Sequence, residues 1–123
     1  MTQVSFSRGL TALVASIALL AAAGAASAHA HLVSSDPAAG AVVAAPKSVL
    51  LTFSEKLEAK FSGADLSKGG APLGSQSLLD PKGGKILTVS PGAPLSPGAY
   101  SVKWHAVSVD GHRTQGEVAF TVR

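Results

Sequence analysis

The clearest alternation in the sequence is in YSVKWHAVSV, residues 100–109. In an extended chain, successive side chains point to opposite faces, so alternate residues share a face. One face of this stretch carries the apolar residues Tyr100, Val102, Trp104 and Ala106, whereas the other carries serine, lysine and histidine. Alternation of this kind predicts a half-buried β-strand.

Turn signals bound this strand on both sides. Ser96–Ala99 contains Pro and Gly and precedes it, and Asp110-Gly111 follows it as a tight connection. Beyond that connection, residues 116–122 alternate again, with valine and phenylalanine on one face. We therefore expect a second strand there, which closes the chain.

Upstream, six more segments are predicted to be strands: Leu32-Val33, Val42-Val43, Ser48–Ser54, Ala64–Ser67, Ser75–Leu79 and Lys85–Val89. Pro and Gly clusters separate most of them, and the first two are expected to be short edge strands. Glu55–Phe61 contains helix-forming residues, but a loop or a single turn fits its short length equally well. Many short strands with turns between them, and no amphipathic helix, predict an all-β antiparallel β-sandwich or barrel of Greek-key type.

Residues 1–28 are typical of a cleaved secretory signal peptide. They contain Arg8, then a long apolar run, and end in an A-x-A motif at Ala26–Ala28. The alternative is a retained membrane anchor, because the segment after Arg8 is uncharged and about 20 residues can span a bilayer. The motif and the many small residues before it favour cleavage, so we expect one exported domain, residues 29–123.

Composition excludes several classes of site. The ten Lys and Arg residues are scattered instead of clustered with aromatic residues, which argues against a nucleic-acid interface. The chain has no cysteine, so disulfides, thiolate metal sites and cysteine nucleophiles are excluded. Met1 is the only methionine, so the predicted mature chain has no thioether for a soft metal ion.

Two separate parts of the chain could contribute to one metal site. Asp110 and His112 are two residues apart, so in an extended segment both point to the same side. Cleavage after Ala28 would make His29 the first residue, and its α-amine and ring Nδ1 could then chelate one ion in a six-membered ring. A nitrogen-rich set with a carboxylate favours Cu(II) in tetragonal coordination.

Each of these residues also has a simpler interpretation. An Asp-Gly-His sequence is usually a turn in which the aspartate accepts backbone N–H bonds. A histidine beside a cleavage site need have no role, and His31 could approach the metal or turn to solvent. His105 is expected to be a solvated strand residue, because it lies on the polar face with Lys103.

Four blocks of the sequence carry a family resemblance: HAHLVSSDPAAG (29–40), LTFSE (51–55), PGAYSVKWHAVSVDGH (97–112) and GEVAF (116–120). Together, in this order and spacing, they resemble the CopC family of periplasmic copper-binding proteins. The resemblance covers essentially the whole predicted mature chain. It implies an Ig-like or cupredoxin-like antiparallel β-barrel with one tight Cu(II) site near one end.

The resemblance also implies a set of ligands. They are the amine and ring of His29 together with Asp110 and His112, which match the D-x-H motif of the family. Some members add a glutamate from the F-S-E block, here Glu55, for which a plain loop carboxylate is the alternative. One branch of the family has a Met-rich segment for Cu(I), and the lack of internal methionine here argues against such a second site.

The family association implies a non-enzymatic role in the periplasm, in which the protein sequesters or carries Cu(II), contributes to copper resistance and delivers copper to a CopD-like inner-membrane protein. One alternative is an oxygenase that holds copper through an N-terminal histidine, although direct coordination by Asp110 would disfavour O₂ chemistry. The other alternative is an Ig-like structural module without a metal function.

Overall fold

The protein forms a sandwich of two β-sheets in a computed structural model that describes residues 29–123. The expected signal peptide, residues 1–28, lies outside the described residues. Across 29–123, the structure contains no helix that is long and apolar enough to cross a membrane. The predicted all-β sandwich is confirmed.

Residues 29–123 contain nine strands and one 3₁₀ turn: β1 Leu32–Asp36, β2 Val42–Val43, β3 Val49–Phe53, the 3₁₀ turn Ala59–Phe61, β4 Gly63–Lys68, β5 Ala71–Pro72, β6 Ser75–Leu79, β7 Ile86–Pro91, β8 Gly98–Val107 and β9 Arg113–Val122. One sheet has the strand order β1-β3-β7-β6, and the other has the order β2-β9-β8-β4-β5. All pairs are antiparallel except β2 and β9, which run parallel over two residues. The chain thus crosses between the sheets several times and encloses one core.

The core lies between the inward faces of the two sheets. Alternate residues of β3, β7, β8 and β9 are buried, as the sequence pattern predicts. Phe53 of β3 and Trp104 of β8 meet edge to face, with ring centroids 5.1 Å apart. Burial of apolar surface on this scale is the main source of stability for a domain without disulfides.

The bounds of β8 and β9 differ from the sequence prediction for identifiable reasons, and Glu55–Phe61 forms a single turn, which was one of its predicted alternatives. β8 ends at Val107 because the Ser108 N–H donates to the His112 carbonyl and closes the hairpin connection. β9 consequently begins at Arg113, three residues earlier than expected. Only one 3₁₀ turn forms within Glu55–Phe61, since the backbone there bonds to neighbouring loops and strands and its N-cap lacks a side-chain hydrogen bond.

The β8–β9 hairpin spans the sandwich and defines its two ends. Val107 pairs with Arg113 at one end, and Gly98 pairs with Val122 at the other. The first described residues lie at the Arg113 end, because the Thr114 hydroxyl donates to the Ala30 carbonyl at 2.9 Å. The fold therefore brings the beginning of the described chain to the Asp-Gly-His connection, 80 residues or so later.

Candidate metal centre

The Asp110-Gly111-His112 segment is a tight turn closed by its own backbone. The Ser108 N–H donates to the His112 carbonyl at 3.0 Å, and the Gly111 N–H donates to the Ser108 carbonyl at 2.8 Å. Gly111 has φ +91°, a conformation that a residue with a Cβ rarely adopts. The turn thus fixes the relative positions of the two residues in the D-x-H motif.

The Asp110 carboxylate is engaged on both oxygens. Oδ1 accepts hydrogen bonds from the Ser108 hydroxyl and from the His112 N–H, the latter at 3.2 Å. Oδ2 lies 3.0 Å from Nδ1 of His112. These bonds, with the Ser108 hydroxyl as the largest contributor, lower the pKa of Asp110 from 3.8 to about 2. The carboxylate is therefore ionised at neutral pH.

The ring of His112 faces the ring of His29. Their centroids are 4.4 Å apart with an interplanar angle of 18°, so the two imidazoles are stacked. The Asp110 contact occupies Nδ1 of His112, whereas the hydrogen bonds described for residues 29–123 leave Nε2 free. The side chain of His112 is 51% exposed, which places this nitrogen within reach of solvent species.

Residues 30 and 31 are held from both sheets. Ala30 is fully buried, and its carbonyl accepts the bond from Thr114 of β9. The backbone of His31 makes two hydrogen bonds with Ser54. Its N–H donates to Ser54 Oγ at 3.0 Å, and its carbonyl accepts from the Ser54 N–H at 2.9 Å. Ser54 Oγ also lies 3.1 Å from Nδ1 of His31, so this ring is directed to Ser54.

The predicted ligands are brought together pairwise. His29 contacts His112, and His112 contacts Asp110, whereas Glu55 is exposed on the loop after β3. Within residues 29–123, His, Asp and Glu side chains form no group of three or more arranged to hold a metal ion. The His112 side chain thus contacts both His29 and Asp110. Glu55 takes part in neither contact.

His105 lies on the exposed face of β8, as expected for a solvated strand residue. It lines a cavity of about 510 Å³ on the outer face of the five-stranded sheet, together with Phe61 and Arg113. None of the four predicted ligands lines this cavity.

The sequence prediction missed three hydroxyl residues that support the site: Ser54, Ser108 and Thr114. Two of them follow a simple spacing, because Ser108 precedes Asp110 by two residues and Thr114 follows His112 by two. The place of Ser108 beside the turn could have indicated it, since serine hydroxyls commonly hydrogen-bond to groups nearby in the chain. No comparable signal identifies Ser54, whose position depends on the β1–β3 pairing.

A protein-family model described as the CopC domain matches residues 32–123. The chain belongs to the CopC family. The resemblance found in the sequence is thereby confirmed, and it covers every strand of the structure.

Similar proteins include two named bacterial relatives. The chain is 45% identical over 101 residues to protein YobA of Escherichia coli K12, a match covering 78% of this chain and 80% of the relative. It is 43% identical over 105 residues to copper resistance protein C of Pseudomonas syringae pv. tomato, covering 80% of this chain and 83% of the relative. The second name associates this CopC-family fold with copper resistance.

A solved structure agrees with the fold and differs in one informative way. The crystal structure of PcoC from Escherichia coli superposes with a TM-score of 0.72 at 40% identity, covering 78% of this chain and all of that chain. PcoC is described as a methionine-rich copper resistance protein. The present CopC chain has a single methionine, Met1.

Proposed function

We propose that this CopC-family protein binds one Cu(II) ion outside the cytoplasm and sequesters or carries it, without catalysing a reaction. The stacking of the His29 and His112 rings at 4.4 Å is the observation that carries the proposal. Two imidazoles at this separation can turn toward one ion with small side-chain rotations. The copper-resistance names of the relatives support copper as the metal.

The donor types fit Cu(II). Imidazole nitrogens and carboxylate oxygens suit Cu(II) in tetragonal geometry, whereas Cu(I) favours thiolates and thioethers. Residues 29–123 contain no cysteine and no methionine. Copper is the cargo of this site, and the proposal is for a single Cu(II) site with no separate thioether site for Cu(I).

Export completes the ligand set in this proposal. In the full chain the His29 nitrogen is part of a peptide bond to Ala28, and a protonated amide nitrogen is a poor metal ligand. Cleavage after Ala28 frees an α-amine that chelates the metal together with Nδ1 of the same residue. Processing in the periplasm and metal competence therefore occur in one step.

Asp110 has two roles in the proposal. It orients the His112 ring in the metal-free protein, as carboxylates commonly orient ligand histidines. When copper binds, Oδ2 of Asp110 would leave Nδ1 of His112 and serve as an oxygen ligand. Glu55 is exposed and lies outside the His29–His112–Asp110 contacts. It is therefore proposed only as an additional oxygen ligand and not as part of the main ligand set.

The proposed destination of the copper is a CopD-like inner-membrane protein, on family association alone. Direct transfer favours a site at the surface of the carrier, and the side chains of His112 and Asp110 are 51% and 41% exposed. An acceptor could therefore approach these ligands without unfolding of the sandwich.

The test uses protein exported with its native signal and confirmed by intact mass to begin at His29. Titration with Cu(II), followed by EPR, should show one tight tetragonal nitrogen-rich site. His112→Ala should weaken binding by more than the about 10–100-fold typical of losing an outer-shell partner. His105→Ala is the matched control, because it removes an exposed histidine outside the site.

Three outcomes would contradict the proposal in distinguishable ways. Equal Cu(II) binding by the wild type and His112→Ala would exclude the site. Unchanged binding after addition of one residue before His29 would exclude the α-amine as a ligand. Steady consumption of O₂ with ascorbate by the copper-loaded protein would instead indicate an oxygenase.

A further inference from the structure

One side-chain hydrogen bond links the segment carrying His29 to the strand that follows His112. Thr114 Oγ1 donates to the carbonyl of Ala30 at 2.9 Å, and the two residues are separated by 84 positions in the chain. Thr114 belongs to β9 and pairs with Ala106 of β8, so its own backbone is fixed by the central hairpin. The bond therefore fastens the segment that carries His29 to a rigid element.

A chain end needs such a fastening to form half of a site. Terminal residues are generally poorly ordered unless contacts tie them down. Once cleaved, the chain would begin at His29, one residue before Ala30. Chelation by the amine and ring of His29 requires this first residue to stay beside His112, and ordering a free end on binding lowers affinity.

The two ligands also share their support. Thr114 follows His112 by two residues, so the same short piece of chain positions one proposed ligand and anchors the segment carrying the other. Ser54 holds the next residue, His31, from the opposite sheet. One of the Ser54 contacts is made by its backbone N–H, so that bond does not depend on the side chain at position 54. The Thr114 contact depends entirely on one hydroxyl.

We propose that Thr114 is a positioning residue for the copper site, whose hydroxyl sets His29 against His112 by holding the Ala30 carbonyl. This inference rests on the proposed Cu(II) function. Thr114 binds no metal itself and acts through the buried peptide of residue 30. Loss of the hydroxyl leaves the β-strand intact, since valine suits a strand equally well, but releases the first residues of the mature chain.

The experiment compares four forms of the mature protein that begin at His29. They are the wild type, Thr114→Val, Thr114→Ser and Thr121→Val. Thr121→Val is the control, because it removes an exposed hydroxyl farther along β9. Cu(II) affinity is measured by competition with a chelator of known affinity, and EPR records the ligand field of the bound ion. Metal-free samples give melting temperatures and backbone NMR order parameters.

The expected result separates positioning from stability. Thr114→Val should bind Cu(II) about 10–100-fold more weakly, with an altered EPR hyperfine splitting and lower order parameters at residues 30 and 31. Thr114→Ser should restore both the affinity and the spectrum, because it keeps the hydroxyl. Thr121→Val should match the wild type.

Several results would overturn the inference. Wild-type affinity and spectrum in Thr114→Val would show that the hydroxyl does not position His29, while leaving the copper function intact. A lower melting temperature with an unchanged spectrum of the bound ion would indicate a purely structural role. Failure of the wild type to bind Cu(II) would remove the proposed function and this inference together. If Thr114→Val does not fold, Thr114→Ala provides the same comparison.

Discussion

The two ends of the β8–β9 hairpin differ in how their polar groups are hydrogen-bonded. At the Gly98 end, polar side chains are paired with the loop that precedes β8. The Tyr100 hydroxyl donates to the Ser96 carbonyl at 2.6 Å, and Lys68 Nζ donates to Ser96 Oγ at 2.7 Å and to the Pro97 carbonyl at 3.1 Å. This closed end therefore satisfies its polar groups within the protein.

At the Arg113 end, polar groups are ordered but incompletely used. The Ser108 hydroxyl donates to Asp110, and the Thr114 hydroxyl donates to the Ala30 carbonyl. His29 and His112, by contrast, contact each other only by ring stacking. Nδ1 of His112 bonds to Asp110, whereas its Nε2 has no partner among the hydrogen bonds of residues 29–123, and such an imidazole nitrogen is suited to bind a metal. One hairpin thus supports a structural end and an end suited to ligand binding, which differ in whether their polar groups are all paired.

The largest expected effect comes from the core that both ends share. A Cβ at Gly116 would lie 2.5 Å from Cζ2 of Trp104, a distance that requires the buried ring to move. Gly116→Ala should therefore lower the free energy of unfolding by about 1–3 kcal/mol, as overpacking does. Chemical denaturation measures this loss, and the fluorescence of Trp104, the single tryptophan, should report the displaced ring.

A double-mutant cycle identifies the cause of that loss. If contact with the indole is responsible, Gly116→Ala should cost less in a Trp104→Phe background, where the larger ring is absent. Equal losses in both backgrounds would show that contact with the indole is not the cause of the loss.

The second prediction concerns the Arg113 end alone. The Ser108 hydroxyl is the largest cause of the lowered pKa of Asp110, so Ser108→Ala should raise this pKa from about 2 toward its ordinary value of 3.8. A carboxyl group whose pKa is lower in the folded state stabilises the protein fully at a pH above its pKa in the unfolded state. This contribution is lost as the pH falls toward its pKa in the folded state. Ser108→Ala should therefore reduce the acid-dependent part of the stability between about pH 4 and pH 2.

NMR titration of the Asp110 carboxyl in metal-free protein measures the shift directly. Thr114→Ser is a suitable control, because it alters a hydroxyl residue of the same end that does not contact Asp110. An unchanged Asp110 titration in Ser108→Ala would mean that the His112 contacts alone hold the carboxylate.

Alternation and turn signals were sufficient to predict most of the fold. Val49, Leu51 and Phe53 are buried as their spacing indicates, and β6 has the predicted bounds Ser75–Leu79. The parallel pairing of β2 with β9 could not be predicted, because two residues carry no period and their partner lies almost 80 positions away. Pairing between distant short segments depends on the assembled sandwich.

The proximity of the candidate ligands was predictable only in part. Asp110 and His112 are in contact, but a tight turn brings them together and not the extended segment that their spacing suggested. That His29 stacks on His112 depends on the path of the chain between the sheets, which no local pattern encodes. Glu55 lies two residues after the end of β3, and its exposed loop position is set by backbone bonds of the following residues to distant segments.

A smaller effect is expected at the Gly98 end, which it tests by itself. Tyr100 is 3% exposed, and its ring stacks on Phe120, with centroids 5.6 Å apart. Tyr100→Phe keeps this stacking and removes only the hydroxyl that donates to Ser96. The free energy of unfolding should fall by about 1 kcal/mol, the usual net value of one such hydrogen bond, and the melting temperature by about 4–8 °C.

Copper affinity separates this result from a general loosening of the hairpin. Because the Tyr100 hydroxyl lies at the end opposite His112, Tyr100→Phe should leave Cu(II) affinity at the wild-type value while stability falls. Lys68→Met should destabilise less than Tyr100→Phe, since its ammonium bonds are at the surface, where water replaces them readily. A decrease in Cu(II) affinity for Tyr100→Phe would mean that the hairpin couples its two ends, and that the division between a structural end and a binding end is wrong.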